Sequence, residues 1–263
     1  MKVGIIGLGI VGSALQRDFK DKRIELSVFD KYKNIGDMES CVQTEICFLC
    51  LPTNLTKENE FDLSALNEVL TFLSKNEYDG NIIIKSTTLP GTSKMFLSMY
   101  KNLDIFHNPE FLSEKSAFYH INHQTHIVIG KTKNIQNVRK IQNFYSSYYS
   151  NAIISICSSD ESETMKLCCN AFYASKIQLF NEIYFFCKKS NIQYENVKKM
   201  MLNNNWINPM HTNVPGHDGK LGFGGKCFPK DLVALINFCK KKKIPCNVLE
   251  SVNNENEVIR NNK

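Results

Sequence analysis

Lys2-Val3-Gly4-Ile5-Ile6-Gly7-Leu8-Gly9-Ile10-Val11-Gly12 is the stretch on which the reading of this chain turns. Residues 2–6 are an apolar run of strand length. Residues 10–20 place Ile10, Val11, Ala14, Leu15 and Phe19 roughly on one helical face. Between them lies a Gly-x-Gly-x-x-Gly turn. Its first glycine permits the tight bend, its second lets a pyrophosphate approach the backbone, and its third lets the helix pack close to the sheet. Free N–H groups at the helix N-terminus then face the phosphates. The next run, Ile24–Asp30, reads as a strand ending in an acid 18 residues beyond Gly12, where a carboxylate takes the ribose hydroxyls. An acid there repels a 2′-phosphate. The expected cofactor is therefore NAD, held by Gly7, Gly9, Ile10, Val11, Gly12 and Asp30. The apolar run after Met1-Lys2 has the outline of a signal peptide, but its glycines and the strand–turn–helix order speak against that reading.

Outward from this unit, strand and helix alternate. Glu45–Leu51 is continuously apolar from Ile46 on, as suits a strand covered on both faces. Asn81–Lys85, Leu103–His107, Thr125–Gly130 and Ala152–Ser155 read as further strands. Asp62–Leu73, with Asp62 as N-cap, and Asn134–Tyr145 read as helices. Such alternation predicts a parallel sheet. After residue 158 the pattern changes to a long helix over 160–189, then to helices and loops without a convincing strand. The fold class is α/β, an N-terminal Rossmann-type parallel sheet over 1–158 followed by a mostly helical domain over 159–263. The polar tail Asn253–Lys263 is expected to fray.

Composition narrows the function. The chain has 263 residues, 43% hydrophobic and 22% charged, which excludes a disordered, collagenous or coiled-coil chain. A net charge of +6 suits a small anionic ligand and is too weak to argue for nucleic acid. No apolar run approaches the roughly 18–20 residues that span a bilayer. Ten scattered cysteines read as reduced thiols of a cytoplasmic protein. Cys47-Phe48-Leu49-Cys50 has the spelling of a zinc or redox pair. It lies in an apolar strand with no second pair and reads as core, as does Cys168-Cys169. His120, His123 and His126 cannot share one helical face if the last begins a strand, so no metal is expected.

A second glycine cluster runs Gly222-Phe223-Gly224-Gly225-Lys226-Cys227-Phe228-Pro229-Lys230-Asp231. It delivers one cysteine flanked by lysines, which favour the nucleophilic thiolate. This motif resembles the cysteine loop of the UDP-glucose/GDP-mannose dehydrogenase family. Five further segments are similar to the family's motifs, in its order. They are the glycine turn at 7–12, Cys50-Leu51-Pro52-Thr53 with Asp62-Leu63-Ser64, and Lys85-Ser86-Thr87-Thr88-Leu89-Pro90-Gly91. Asn108-Pro109-Glu110-Phe111-Leu112-Ser113-Glu114 and Lys166-Leu167-Cys168-Cys169-Asn170-Ala171-Phe172 complete the series.

The resemblance implies NAD-dependent oxidation of a nucleotide sugar's C6 alcohol to a carboxylate. UDP-glucose is favoured by the wording of the cysteine motif; GDP-mannose and a UDP-N-acetylhexosamine are the alternatives. Cys227 would be the covalent nucleophile, forming a thiohemiacetal and then a thioester. Lys166 would stabilise oxyanions and contact substrate, and Asn170, one helical turn on, would help hold it. Asp231 and Thr87 would position a water or accept a proton, and Glu114 would assist thioester hydrolysis. Glu110, Phe111, Leu112 and Glu114 would lie beside the substrate. Thr53, Thr87, Glu114 and Lys230 would line the NAD site. Gly224 and the loop Gly216–Lys220 would touch the sugar nucleotide. The helical domain would pair with its twin, giving a homodimer.

Three departures from the family stand out. The family's C-terminal nucleotide-binding domain has no counterpart here, so a short form of the enzyme is expected, with a non-catalytic homologue as the rival reading. Only 23 positions separate Asp30 from Thr53, which implies a trimmed first domain. The arginine that the family places before the cysteine loop is missing, since none occurs between Arg139 and Arg260. Lys220 and His211 are the candidates to replace it.

Overall fold

β1 (Lys2–Ile6) is buried because both of its faces are covered. Its Val3 and Ile5 pack into one apolar cluster and Ile6 into another. The computed structural model describes residues 1–131 and 134–261. After β1 come α1 (Ile10–Asp21), β2 (Glu25–Phe29), α2 (Glu39–Val42), β3 (Ile46–Leu49), α3 (Ser64–Lys75), β4 (Asn81–Ile84), α4 (Thr92–Met99) and β5 (Asp104–His107). A 3₁₀ turn (Glu114–Ser116) precedes α5 (Ala117–Asn122), β6 (His126–Lys131), α6 (Ile135–Tyr148) and β7 (Ile153–Ser158). The remaining elements are α7 (Ser159–Lys189), α8 (Tyr194–Asn203), α9 (Phe228–Lys241) and α10 (Asn247–Asn261).

The strands form one seven-stranded sheet in the order β2-β1-β3-β4-β5-β6-β7. β2 lies on one side of β1 and β3 on the other, so the chain reverses direction across β1. The carboxyl ends of β1 and β3 flank that switch point, where open α/β sheets bind ligands. β3 shows why an unbroken apolar run suits this position. Ile46 and Phe48 enter the cluster that Phe19 and Phe144 complete, while Cys47 and Leu49 enter the opposite one with Leu66 and Leu70. Phe19, Phe48 and Phe144 form a triangle with ring centroids 5.3–6.0 Å apart.

The sheet departs from the all-parallel expectation at one junction. β5 and β6 meet antiparallel at His107 and Gly130 alone. A Cβ on Gly130 would come within 3.0 Å of the His107 carbonyl oxygen and 2.7 Å of Ser162 Cβ, so the approach depends on the missing side chain. α3 starts at Ser64, and the Asp62 carboxylate accepts the Ser64 N–H at 2.9 Å, acting from just outside the helix. The tail does not fray over its described part. α10 runs to Asn261, and its Arg260 is bonded to the glycine loop that precedes α9; residues 262 and 263 lie outside the described residues.

The chain divides into two compact units, one of residues 1–54 and 61–166, the other of residues 55–60 and 167–263. The second is built from helices and loops around Phe180, Cys187, Tyr194 and Val214. The Tyr194 hydroxyl fastens that core to the Thr212 carbonyl at 2.6 Å.

Candidate functional site

The glycine turn lies between β1 and α1. Gly7 has φ +91°, a left-handed conformation that disfavours side chains, and its N–H donates to the Phe29 carbonyl of β2 at 2.8 Å. A Cβ on Gly12 would stand 1.9 Å from the Gly7 carbonyl oxygen, so α1 begins this close to the turn only because Gly12 has none. A Cβ on Gly9 would meet nothing within 4 Å. Open space over that backbone, at the N-terminus of a twelve-residue helix, fits a pyrophosphate. Ile10 begins α1 exposed, and Val11 packs against the core.

Asp30 follows β2. Its Oδ2 accepts the Leu8 N–H at 2.6 Å, and its Oδ1 accepts those of Tyr32 (3.0 Å) and Lys33 (2.9 Å). Burial pushes its pKa up, but the donors from Leu8, Lys33 and Tyr32 outweigh it and hold the carboxyl below its ordinary value. Asp30 thus stands charged beside the turn that the sequence assigns to a dinucleotide.

The ends of β3, β4 and β5 carry the next group. Thr53 is buried, and its hydroxyl donates to the Thr87 carbonyl at 2.8 Å. Lys166, on the second turn of α7, donates from Nζ to the Glu110 carbonyl at 2.6 Å. It lies 3.3 Å from Glu110 Oε1 and 5.0 Å from the Phe111 ring centroid. Glu110 Oε2 accepts the Leu112 N–H at 2.7 Å. The first unit therefore gathers Lys166 with Glu110, Phe111 and Leu112, and Thr53 with Thr87. Glu114 opens the exposed 3₁₀ turn.

Two charged residues of this unit carry no role in the sequence reading. Lys85 Nζ donates to Asn108 Oδ1 (2.7 Å) and the Pro109 carbonyl (3.2 Å), fixing the backbone just before Glu110. Burial drives this ammonium down to about 8, against the pull of Cys50 and Glu110 toward the charged form. Glu163 is wholly buried three residues before Lys166. Its Oε1 accepts the Ser93 N–H (2.8 Å), the Ser93 hydroxyl (2.7 Å) and the Thr88 hydroxyl (3.3 Å), and its Oε2 accepts the Gly91 N–H (2.8 Å). Burial raises its carboxyl pKa more than the Ser93 and Gly91 donors lower it. A signal for each was present. Lys85 opens a motif noted for its threonines, and Glu163 stands one helical turn from a lysine already singled out.

The second unit has its own cluster. Cys227 is the N-cap of α9 and is exposed, with Pro229 in the first turn where its missing N–H costs nothing. One turn on, the Asp231 N–H donates to the Cys227 carbonyl at 2.9 Å. The Asp231 carboxylate is buried between Asn170 Nδ2 and Lys230 Nζ, each at 2.6 Å. Cys227, Lys230, Asp231 and Asn170 thus form one constellation.

The preceding loop closes on itself through Gly216 N–H to the Lys220 carbonyl (2.9 Å). Asn181 Oδ1 accepts the Gly222 N–H (3.0 Å) and Asn256 Oδ1 the Phe223 N–H (2.7 Å). Arg260 Nη1 donates to Asp218 Oδ2 (2.8 Å) and Nη2 to the Gly222 carbonyl (2.9 Å). A Cβ on Gly224 would touch the guanidinium at 2.9 Å. Arg260 and His211 line a cavity of about 140 Å³ together with Gly216, Gly224 and Phe228. The arginine at this loop therefore comes from α10, downstream of the cysteine rather than upstream.

A doubly covered sheet with a glycine turn at its switch point and an acid after β2 defines a dinucleotide-binding α/β protein. The chain belongs to the UDP-glucose/GDP-mannose dehydrogenase family: residues 28–149 match that family's NAD binding domain and residues 160–258 its central domain. It is 25% identical over 268 residues to UDP-glucose 6-dehydrogenase TuaD of Bacillus subtilis, covering 98% of this chain and 55% of that protein. It is 28% identical over 247 residues to a UDP-glucose 6-dehydrogenase of Campylobacter jejuni, covering 91% of this chain and 60% of that one. The chain thus spans little more than half the length of these curated relatives. Its fold matches the structure of a UDP-glucose dehydrogenase from Pyrobaculum islandicum with a TM-score of 0.88 at 21% identity, over 98% of this chain and 68% of that one.

Proposed function

We propose that this chain oxidises the C6 alcohol of a nucleotide sugar to a carboxylate, with UDP-glucose the favoured substrate. Residues 1–158 serve as the cofactor domain, and residues 159–263 supply the cysteine and the dimer contacts. The observation that carries the reading is Cys227 at the head of α9, with Asp231 one turn on and bonded to Asn170 at 2.6 Å. A helix N-terminus favours negative charge on the group it faces.

NAD, when bound at the glycine turn and Asp30, supplies the hydride acceptor for both oxidations. The protein's own groups do the rest. Lys166 offsets negative charge developing on the C6 oxygen. The Cys227 thiolate attacks the aldehyde carbon, forming a C–S bond as the carbonyl oxygen becomes an oxyanion. After the second oxidation the sulfur is a thioester leaving group, a task for which an alkoxide is far poorer. Asp231 and Thr87 position the attacking water, and Glu114 takes its proton.

A homodimer completes the proposal. Phe172, Leu179 and Phe186 recur every seven residues along α7 and are 64%, 54% and 65% exposed, a stripe suited to a second copy of the same helix. The ten cysteines are in no disulfide, which supports a cytoplasmic placement. No helix among the described residues is long and apolar enough to cross a membrane.

Purified protein given excess NAD with UDP-glucose, GDP-mannose or UDP-N-acetylglucosamine in parallel is expected to form two NADH per sugar with one of them, and none as Cys227→Ala. A folded protein that binds NAD but forms no NADH with any of the three overturns the reading in favour of a non-catalytic homologue.

A further inference from the structure

We propose that Glu163 is a positioning residue that sets the loop carrying Thr87 against the turn of α7 carrying Lys166. The inference rests on the roles given above to Thr87 and Lys166. Neither the sequence motifs nor the chemical steps use Glu163, yet it is the carboxylate on which the Thr87 loop converges. Gly91, at φ +95°, is the N-cap of α4, and Ser93 is the second residue of that helix. Both lie where a helix leaves N–H groups without internal partners. Glu163 accepts both N–H groups at 2.8 Å and adds the hydroxyls of Ser93 and Thr88. Thr88 is the immediate neighbour of Thr87, whose carbonyl is held on its other side by Thr53. The loop is thus pinned at and after Thr87.

The same two turns of α7 grip the neighbouring strand ends. Ser162 Oγ lies 2.8 Å from Nδ1 of the buried His107, the last residue of β5. Lys166 takes the Glu110 carbonyl three residues further along. Ser162, Glu163 and Lys166 therefore hold the ends of β4 and β5 in register with one helix. Glu163 is the member whose side-chain length fixes where Thr87 stands. A carboxylate excluded from water is costly unless its oxygens are satisfied, and four donors satisfy them here. Replacing one oxygen by an amide NH2 turns a donor toward N–H groups that need an acceptor.

Three variants test this: Glu163→Gln, Glu163→Asp and Ser93→Ala, the last keeping the carboxylate and removing one donor should the others fold poorly. Amide hydrogen exchange at Gly91 and Ser93 is expected to quicken at least about tenfold in Glu163→Gln, and less in Ser93→Ala. Turnover with the active nucleotide sugar is expected to fall about tenfold or more in Glu163→Gln while KM for the sugar moves less than about threefold. That loss is expected to vanish in a Thr87→Ala background, because a residue acting through Thr87 has nothing left to position. Unchanged exchange at Gly91 and Ser93 overturns the proposal, and so does a turnover loss that persists undiminished beside Thr87→Ala. If the unmodified protein turns over no nucleotide sugar, the functional reading fails, while the exchange measurement still decides whether Glu163 holds the loop.

Discussion

His107 shows how one buried side chain couples this site to pH. Burial, with the neighbouring Lys85 ammonium next in weight, holds its imidazole neutral down to about 3, against an ordinary value of 6.5. Between those values the unfolded chain binds a proton that the native protein does not. Stability is therefore full above about pH 6.5 and is lost as pH falls toward 3, at up to roughly 1.4 kcal/mol per pH unit. His107→Asn is expected to be less stable at pH 7, with the gap to the unmodified protein narrowing by pH 4 in urea titrations. Lys85 has the same sign at higher pH. Its folded value of about 8 lies below the ordinary 10.5, so stability rises between them and Lys85→Met removes that rise. At this scale the sequence was legible where spacing fixes placement, as with Asp231 one turn after Cys227. Where a residue acts by burial, nearness to a motif marked Lys85 and Glu163 but named no partner for them. His107, Lys85 and Glu163 owe their importance to partners 22 to 75 positions away, which no local pattern identifies.

At the level of elements, the glycine turn is the part read most directly, because its requirements are local. Gly12→Ala places a methyl group 1.9 Å from the Gly7 carbonyl oxygen. It is expected to destabilise the protein by about 1–3 kcal/mol and to weaken NAD binding at least about tenfold, measured by thermal unfolding and calorimetric titration. β3 was equally plain, since an unbroken apolar run has few other homes than a strand between two helical layers. The antiparallel junction of β5 and β6 was not, because it depends on one glycine meeting one carbonyl across the sheet. α10 was misread for a related reason. Its sequence is polar, but Asn256 and Arg260 point their polar groups at the glycine loop. Arg260→Ala is expected to cost about 1 kcal/mol, discounted for partial exposure, and to speed hydrogen exchange at Phe223 without changing NAD binding.

For the whole molecule, the predicted association state follows from the stripe on α7. Leu179→Glu is expected to shift the protein to a monomer in light scattering with little change in thermal stability, because Leu179 is already exposed. An unmodified protein that runs as a monomer overturns the dimer. The sequence announced the change from alternating strands to helices near residue 158. It gave no sign that residues 55–60 belong with the later part of the chain. That membership rests on Asn237 Nδ2, which donates to the carbonyls of Glu58 (3.0 Å) and Asn59 (3.2 Å), and on the Lys241–Glu60 ion pair. The polypeptide consequently passes from one unit to the other at residues 54/55, 60/61 and 166/167, the last passage lying inside the helix α7. The gene therefore has no single codon at which it divides cleanly. Any one cut leaves a strand-and-helix fragment bearing the orphan segment 55–60, or a helical fragment lacking it, so recombination would exchange the two units most safely as a whole.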